Sequence, residues 1–276
     1  MITKIISELK FMTPIINIKI KKDLLLVICQ KRIYLFNFNT YDIIDTIDTG
    51  DNKNGLIGIN NDPSFTVIAY PSINGLNEVT IKNTKTKKHI SFIAQNDTVS
   101  HISMNYDGTL LATASEKGTI ININSCIDGT LLKVFKRGYD KVEHIYICFE
   151  KENKFMAVSS NKGTIHIFSL GSIIKILQEN EKTKKNNQNK INEIKEKKND
   201  IKNLFNENEI KNEEKLPENS KTFFGFSQIE KGFAKIKLKP QKNICTFINN
   251  NTLIIISYDN KYYKVEIDTK KKVITK

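Results

Sequence analysis

Leu111-Ala-Thr-Ala-Ser-Glu-Lys-Gly-Thr-Ile120 returns later in the chain as Met156-Ala-Val-Ser-Ser-Asn-Lys-Gly-Thr-Ile165. The copies stand 45 residues apart, which is a β-propeller blade period. Around both copies the apolar period is two rather than 3.6, so each reads as strand, Lys-Gly turn, strand, with glycine supplying a positive φ. Between them lies Phe135-Lys136-Arg137-Gly138. Side chains alternate along a strand, so Lys136 is expected to serve one blade and Arg137 the next, as two neighbouring anion sites.

The same unit extends in both directions. Upstream, Pro14–Ile20, Leu24–Cys29, Ile33–Phe38 and Ile43–Ile47 are four short β-branched or aromatic runs parted by charged turns. A second group comprises Gly55–Ile59, Phe65–Tyr70, Glu78–Ile81 and Lys88–Ile93. The third comprises Val99–Met104, Leu110–Ser115, Thr119–Ile123 and Leu131–Phe135, with Asp107-Gly108 and Asp128-Gly129 as hairpin turns. The fourth has Glu143–Phe149, Phe155–Ser159 and Thr164–Phe168, and is completed by Gly232–Leu238 after a long interruption. The fifth holds Ile244–Phe247, Thr252–Ser257, Tyr262–Ile267 and Lys272–Thr275. Four antiparallel strands per roughly 40 residues is the content of a propeller blade, so residues 1–276 read as one all-β, WD40-like propeller domain of about five blades.

Residues 171–231 interrupt the fourth blade. Within them, positions 175–221 carry 12 Lys against 10 acidic residues, so most of the chain's formal charge of +13 falls on the propeller. The Asn, Lys and Glu content provides too little apolar surface for a core. Ile191, Ile194, Ile201, Leu204 and Phe205 fall at helix spacing, and Phe223, Phe224 and Phe226 form an aromatic cluster fit either to pack on a blade edge or to enter a membrane.

The net charge favours anionic partners. Its Lys- and Asn-rich composition also resembles that of an AT-rich genome, and a basic surface by itself is also a soluble one. Cys29, Cys126, Cys148 and Cys245 are scattered, without a Cys-x-x-Cys pair, so a disulfide framework or structural zinc is not expected and a reducing compartment is. No run approaches the roughly 18–20 apolar residues of a membrane span, and the N-terminus lacks a signal-peptide core, so membrane contact is expected to be peripheral. Phosphate loops, His-Glu-x-x-His and Gly-x-Ser-x-Gly are absent, and the four histidines lack metal-ligand spacing. Neither an enzyme nor a cofactor or metal is expected. What remains is Arg137 with Ser160, Lys162, Thr164 and His166, a forked cation with hydroxyl and imidazole donors suited to a phosphate ester on a hydroxylated ring.

Phe135-Lys-Arg-Gly138, followed by Phe155-Met-Ala-Val-Ser-Ser-Asn-Lys-Gly-Thr-Ile-His-Ile-Phe168, resembles the PROPPIN family, whose hallmark is Phe/Leu-Arg-Arg-Gly. Asp48–Leu56, Leu111–Ile121, Gly232–Ile236 and Tyr258–Lys264 extend the likeness over nearly all of the chain outside the insert. The resemblance implies a seven-bladed propeller, of which this sequence provides five, the first two lying before Met1. It implies phosphatidylinositol 3-phosphate and 3,5-bisphosphate as membrane ligands, with autophagy or trafficking proteins as partners. No specific nucleic acid is implied, and the protein is expected to be a monomer if the ring is complete. The implied location is the cytoplasmic face of endosomal, vacuolar or autophagosomal membranes, with the insert as the membrane-facing loop.

Three departures from the family pattern bear on one site. The first hallmark arginine is Lys136, the arginine after Gly-Thr-x-Ile is Asn122, and the upstream histidine is Gln95. A main site at Arg137, Ser160, Lys162, Thr164 and His166 and a degraded one at Lys136, Ser115 and Thr119 are therefore expected. The competing reading is a propeller scaffold for protein contacts with a generally basic surface. An incomplete ring would leave strand edges unpaired and association-prone.

Overall fold

In the computed structural model, the structure describes residues 7–177, 230–268 and 273–275. The chain divides into two compact units, residues 1–171 with 228–276, and residues 172–227. Residues 171–177 are helical. The expected amphipathic helix around 191–205 and the Phe223, Phe224 and Phe226 cluster lie outside the described residues.

The first unit is built of five sheets, each with four antiparallel strands in meander order. They are β1–β4 (Ile15–Lys21, Leu24–Cys29, Arg32–Asn37, Ile43–Asp48) and β5–β8 (Gly58–Ile59, Val67–Pro71, Glu78–Asn83, His89–Ile93). The third sheet is β9–β12 (Val99–Met104, Leu110–Ser115, Ile120–Ser125, Leu131–Lys136). The fourth is β13–β15 (Ile145–Phe149, Phe155–Ser160, Thr164–Ser169) with β17 (Ala234–Lys237). The fifth is β18–β21 (Asn243–Phe247, Thr252–Ser257, Tyr262–Asp268, Val273–Thr275). The five blades are those expected from the sequence.

Two local differences have clear causes. The first strand of the second blade is only Gly58–Ile59, because the buried Asn52 amide bridges the Leu56 N–H and C=O and closes residues 52–56 into a turn. The third blade also gains a fifth strand that the sequence does not announce. Residues 230–231 (β16) run parallel to β12, pairing Phe135 with Glu230 and Lys136 with Lys231, and Glu230 reaches Lys133 at 3.0 Å.

Adjacent blades are joined by their apolar faces. Leu26, Ile28 and Leu35 of the first blade pack on Ile68 and Tyr70 of the second, and Val79 and Ile81 on Leu111 and Met104 of the third. Phe155, Ala157, Ile165 and Ile167 of the fourth meet Leu253, Ile255 and Val265 of the fifth. At the third seam, Phe135 is buried with its ring 4.7 Å from Phe168. Among the described residues, no apolar cluster joins the fifth blade to the first. The outer face of the first blade is covered instead by its own leading segment, Phe11 lying edge-on to Tyr34 and Phe36.

Candidate functional site at the seam of blades three and four

Cross-strand register settles which way each basic residue of the motif faces. Lys136 pairs with Ile120, on the same face as Asn122 and Thr113, whose polar groups meet Ala94 and Gln95 of the second blade. Phe135 pairs with Ile121 and meets Phe168 of the fourth blade. Arg137 follows Lys136, immediately beyond β12, and is turned toward the fourth blade.

Arg137 is 4% exposed. Its Nε donates to Gly118 O at 2.7 Å and its Nη2 to Asp140 O, while the N–H groups of Arg137 and Gly138 both donate to Thr119 O. The side chain thus ties the Lys117-Gly118 turn to the chain leaving β12, and still has donors to spare, since a guanidinium carries five. Burial lowers its pKa from the ordinary arginine value and the Asp140 charge opposes that shift.

The opposing face belongs to β14, β15 and β17. Val158 pairs with His166, which pairs with Lys235, and Thr164 pairs with Lys237. Alternation then places Ser160, Thr164, His166, Lys235 and Lys237 on one face, while Ile165, Ile167 and Ile236 enter the core with the fifth blade. His166 stacks on Phe168 at 6.1 Å, continuing the aromatic row from Phe135. Burial, with the Lys235 and Arg137 charges, pushes the His166 pKa down to about 4, so the ring is neutral near pH 7.

Three polar side-chain atoms on this hairpin lack partners. Ser160 Oγ, Asn161 Oδ1 and His166 Nδ1 are all buried without a hydrogen bond. Buried polar groups are otherwise nearly always satisfied, and leaving one unpaired costs about 1–3 kcal/mol. Three such atoms lie on the hairpin whose His166 feels the charge of the buried Arg137 guanidinium. Lys162, at the tip of the hairpin, adds an exposed cation.

At the seam of blades two and three Asn124 Oδ1 is also buried without a partner, but the polar groups nearest Lys136 are hydrogen-bonded. Gln95 Nε2 donates to Thr113 O at 2.9 Å and Thr113 Oγ1 at 3.0 Å, and Asn122 Nδ2 donates to Ala94 O at 2.8 Å. Lys136 Nζ lies 3.5 Å above the Tyr139 ring. Ser115 is buried at the end of β10. Thr119 does not hold the place that Thr164 holds. In the second copy Ser159 pairs with Ile165, whereas in the first Ala114 pairs with Ile121, one residue later. That slip turns each following side chain of the first copy to the other face.

Sequence reasoning alone did not single out Asn161, Lys235 or Lys237. The last two were legible as alternate positions of the Gly232–Leu238 run, but only the pairing of β15 with β17 across the insert brings them to His166. Gly138, the last residue of the motif, has ordinary φ, and a Cβ built on it meets nothing within 4 Å. The fold itself does not require glycine there.

A WD40-like β-propeller with a basic, polar seam between two blades is the class defined by this fold and site. The PROPPIN family profile matches residues 3–194. The chain belongs to the PROPPIN family. It is 34% identical over 166 residues to autophagy-related protein 18e of Arabidopsis thaliana, covering 60% of this chain and 44% of that protein. Over 178 residues it is 31% identical to WD repeat domain phosphoinositide-interacting protein 1 of Xenopus laevis, covering 63% and 41%. The chain thus spans less than half the length of these curated relatives. Kluyveromyces lactis Hsv2 superposes with a TM-score of 0.65 at 19% identity, covering 98% of this chain and 74% of that one. KlAtg21, solved with the coiled-coil of AgAtg16, superposes with a TM-score of 0.66 at 19% identity, covering 98% and 72%.

Proposed function

We propose that this chain is a non-catalytic, peripheral membrane adaptor that binds phosphoinositide head groups at the seam of blades three and four and acts in autophagy or endosomal and vacuolar traffic. The observation that carries this reading is the buried, unpartnered trio of Ser160 Oγ, Asn161 Oδ1 and His166 Nδ1 beside Arg137. Arg137, Lys162 and Lys235 provide charge for phosphate, and the hydroxyl, amide and imidazole groups suit ring hydroxyls. The name of the Xenopus relative, a phosphoinositide-interacting protein, agrees with this chemistry. The 3-phosphate and 3,5-bisphosphate are the head groups proposed, on the family resemblance. Insert residues 171–231 are proposed as a second membrane attachment, multiplying a weak head-group contact through effective concentration. The satisfied polar groups at the neighbouring seam support one working site at Arg137 and a weakened one at Lys136.

Vesicle flotation tests this. Binding to vesicles with either phosphoinositide is expected to exceed binding to equally charged phosphatidylserine vesicles. A Ser160→Ala/His166→Ala double variant should lose about tenfold or more, and Lys136→Ala much less. Equal binding to all anionic vesicles, lost steeply with salt, would instead establish a non-specific basic surface.

A further inference from the structure

The fourth and fifth blades meet through a pair of cysteines. Cys148 lies on β13 and Cys245 on β18, the leading strands of adjacent blades, and their Sγ atoms are 3.7 Å apart. All four cysteines are free thiols. Cys29 sets its sulfur against Thr13 O at 3.8 Å, and Cys126 is enclosed at the seam of blades two and three. Only Cys148 and Cys245 are placed against each other.

The two sulfurs have different surroundings. Cys245 is buried among Leu253, Ile255 and Val265. Cys148 is half-buried and lines a cavity of about 540 Å3 bounded by the leading strands of the blades, with Thr246 and Phe247 on the Cys245 side. A small diffusing oxidant therefore meets Cys148 first, with Cys245 behind it in position to resolve. Burial raises the Cys148 pKa well above the ordinary thiol value, while the Ala157 and Phe247 amides act in the opposite direction, so reaction is slow and needs sustained oxidant.

We propose that Cys148 and Cys245 are a peroxide-responsive pair whose disulfide staples the fourth blade to the fifth. The Cys148 thiolate attacks hydrogen peroxide, forming a sulfenic acid and releasing hydroxide, which takes up the thiol's proton as water. Cys245 sulfur then attacks Cys148 sulfur, the S–O bond breaks, and a second water leaves. Two thiols are oxidised, one peroxide is reduced, and the net products are one disulfide and two waters. A disulfide bond is about 2.05 Å long, so the sulfurs, now 3.7 Å apart, close by about 1.7 Å.

The bond encloses residues 149–244, which carry the Ser160–His166 hairpin and the 172–227 unit. Closing so long a loop restricts the unfolded chain and keeps the blade that bears the candidate site docked on its neighbour. A dithiol reductant reverses it.

The test uses the reduced 276-residue chain, treated with hydrogen peroxide under native conditions and then alkylated. Free thiols are expected to fall from four to two, with loss of about 2 Da, a cross-linked peptide joining Cys148 to Cys245, and a higher unfolding temperature that dithiothreitol restores. In Cys245→Ser, dimedone should label Cys148, since the sulfenic acid has no resolving partner. Four thiols remaining free, a bond between other cysteines, or further oxidation of Cys148 without cross-linking would each overturn the proposal. The wild-type thiol count and peptide map decide this even if the variant folds poorly.

Discussion

At the scale of single residues, the two halves of Lys136-Arg137 do different work although both are basic. Lys136 rests on the Tyr139 ring, whereas Arg137 is buried and holds Gly118 and Asp140. Arg137→Ala therefore removes structural hydrogen bonds as well as charge, which makes the Ser160 and His166 substitutions the cleaner tests of binding. His166 also links the site to pH. With its pKa near 4 it is neutral when the pocket is empty, and an anion beside it raises that pKa. Binding then takes up a proton, so vesicle affinity should rise as pH falls from about 7.5 to about 5.5, and His166→Ala should flatten the dependence. Stability has the opposite slope. His101, whose Nε2 accepts the Ile145 N–H, is likewise pushed down to about 4 by burial and by His144. For both, the unfolded chain binds protons between about pH 6.5 and 4 that the folded one refuses, so the urea midpoint should fall across that window on acidification.

The β14–β15 hairpin is the element on which the site depends, and its turn glycine is required where Gly138 is not. Gly163 has φ +75°, and a Cβ there would lie 2.5 Å from Lys239 O and 2.6 Å from Leu238 O. Gly163→Ala combines a left-handed conformation costing about 1–2 kcal/mol with a backbone clash, so a loss of at least about 2 kcal/mol is expected in chemical denaturation. Gly138→Ala meets no atom within 4 Å and should change stability by less than about 0.5 kcal/mol. A marked loss of vesicle binding by that second variant would indicate close approach of ligand to backbone at Gly138. The hairpin was legible in the sequence because its period of two and its Lys-Gly turn are local properties. The one-residue slip between the copies was not, since register across a turn depends on how each strand buries its face.

At the scale of the whole propeller unit, the fifth blade presents an apolar row on the face turned away from the fourth. Ile244, Ile256 and Tyr262 are directly opposite one another in register and are 55%, 56% and 62% exposed. A row of this kind is an adhesive surface for another sheet. Sedimentation velocity of the 276-residue chain is expected to show concentration-dependent association, and Ile244→Ser/Ile256→Ser to shift it toward monomer without altering the far-UV spectrum. A sharp monomer for the unmodified chain would show that this face does not self-associate.

The sequence by itself determined the blades. Alternation, blade spacing and turn residues are short-range, and they placed twenty of the twenty-one described strands, the motif, and the hairpin carrying Ser160, Thr164 and His166 where the structure has them. Opposite orientation of Lys136 and Arg137 was also readable, because alternation along a strand is a local rule. Tertiary structure decided the rest. Only the return of the chain through β16 and β17 after the insert brings Lys235 to His166, and only the packing of one blade on the next leaves three polar atoms buried without partners at one seam while Gln95 and Asn122 find theirs at the other. Burial and hydrogen-bond satisfaction are sums over residues far apart in the chain, and no local pattern contains them.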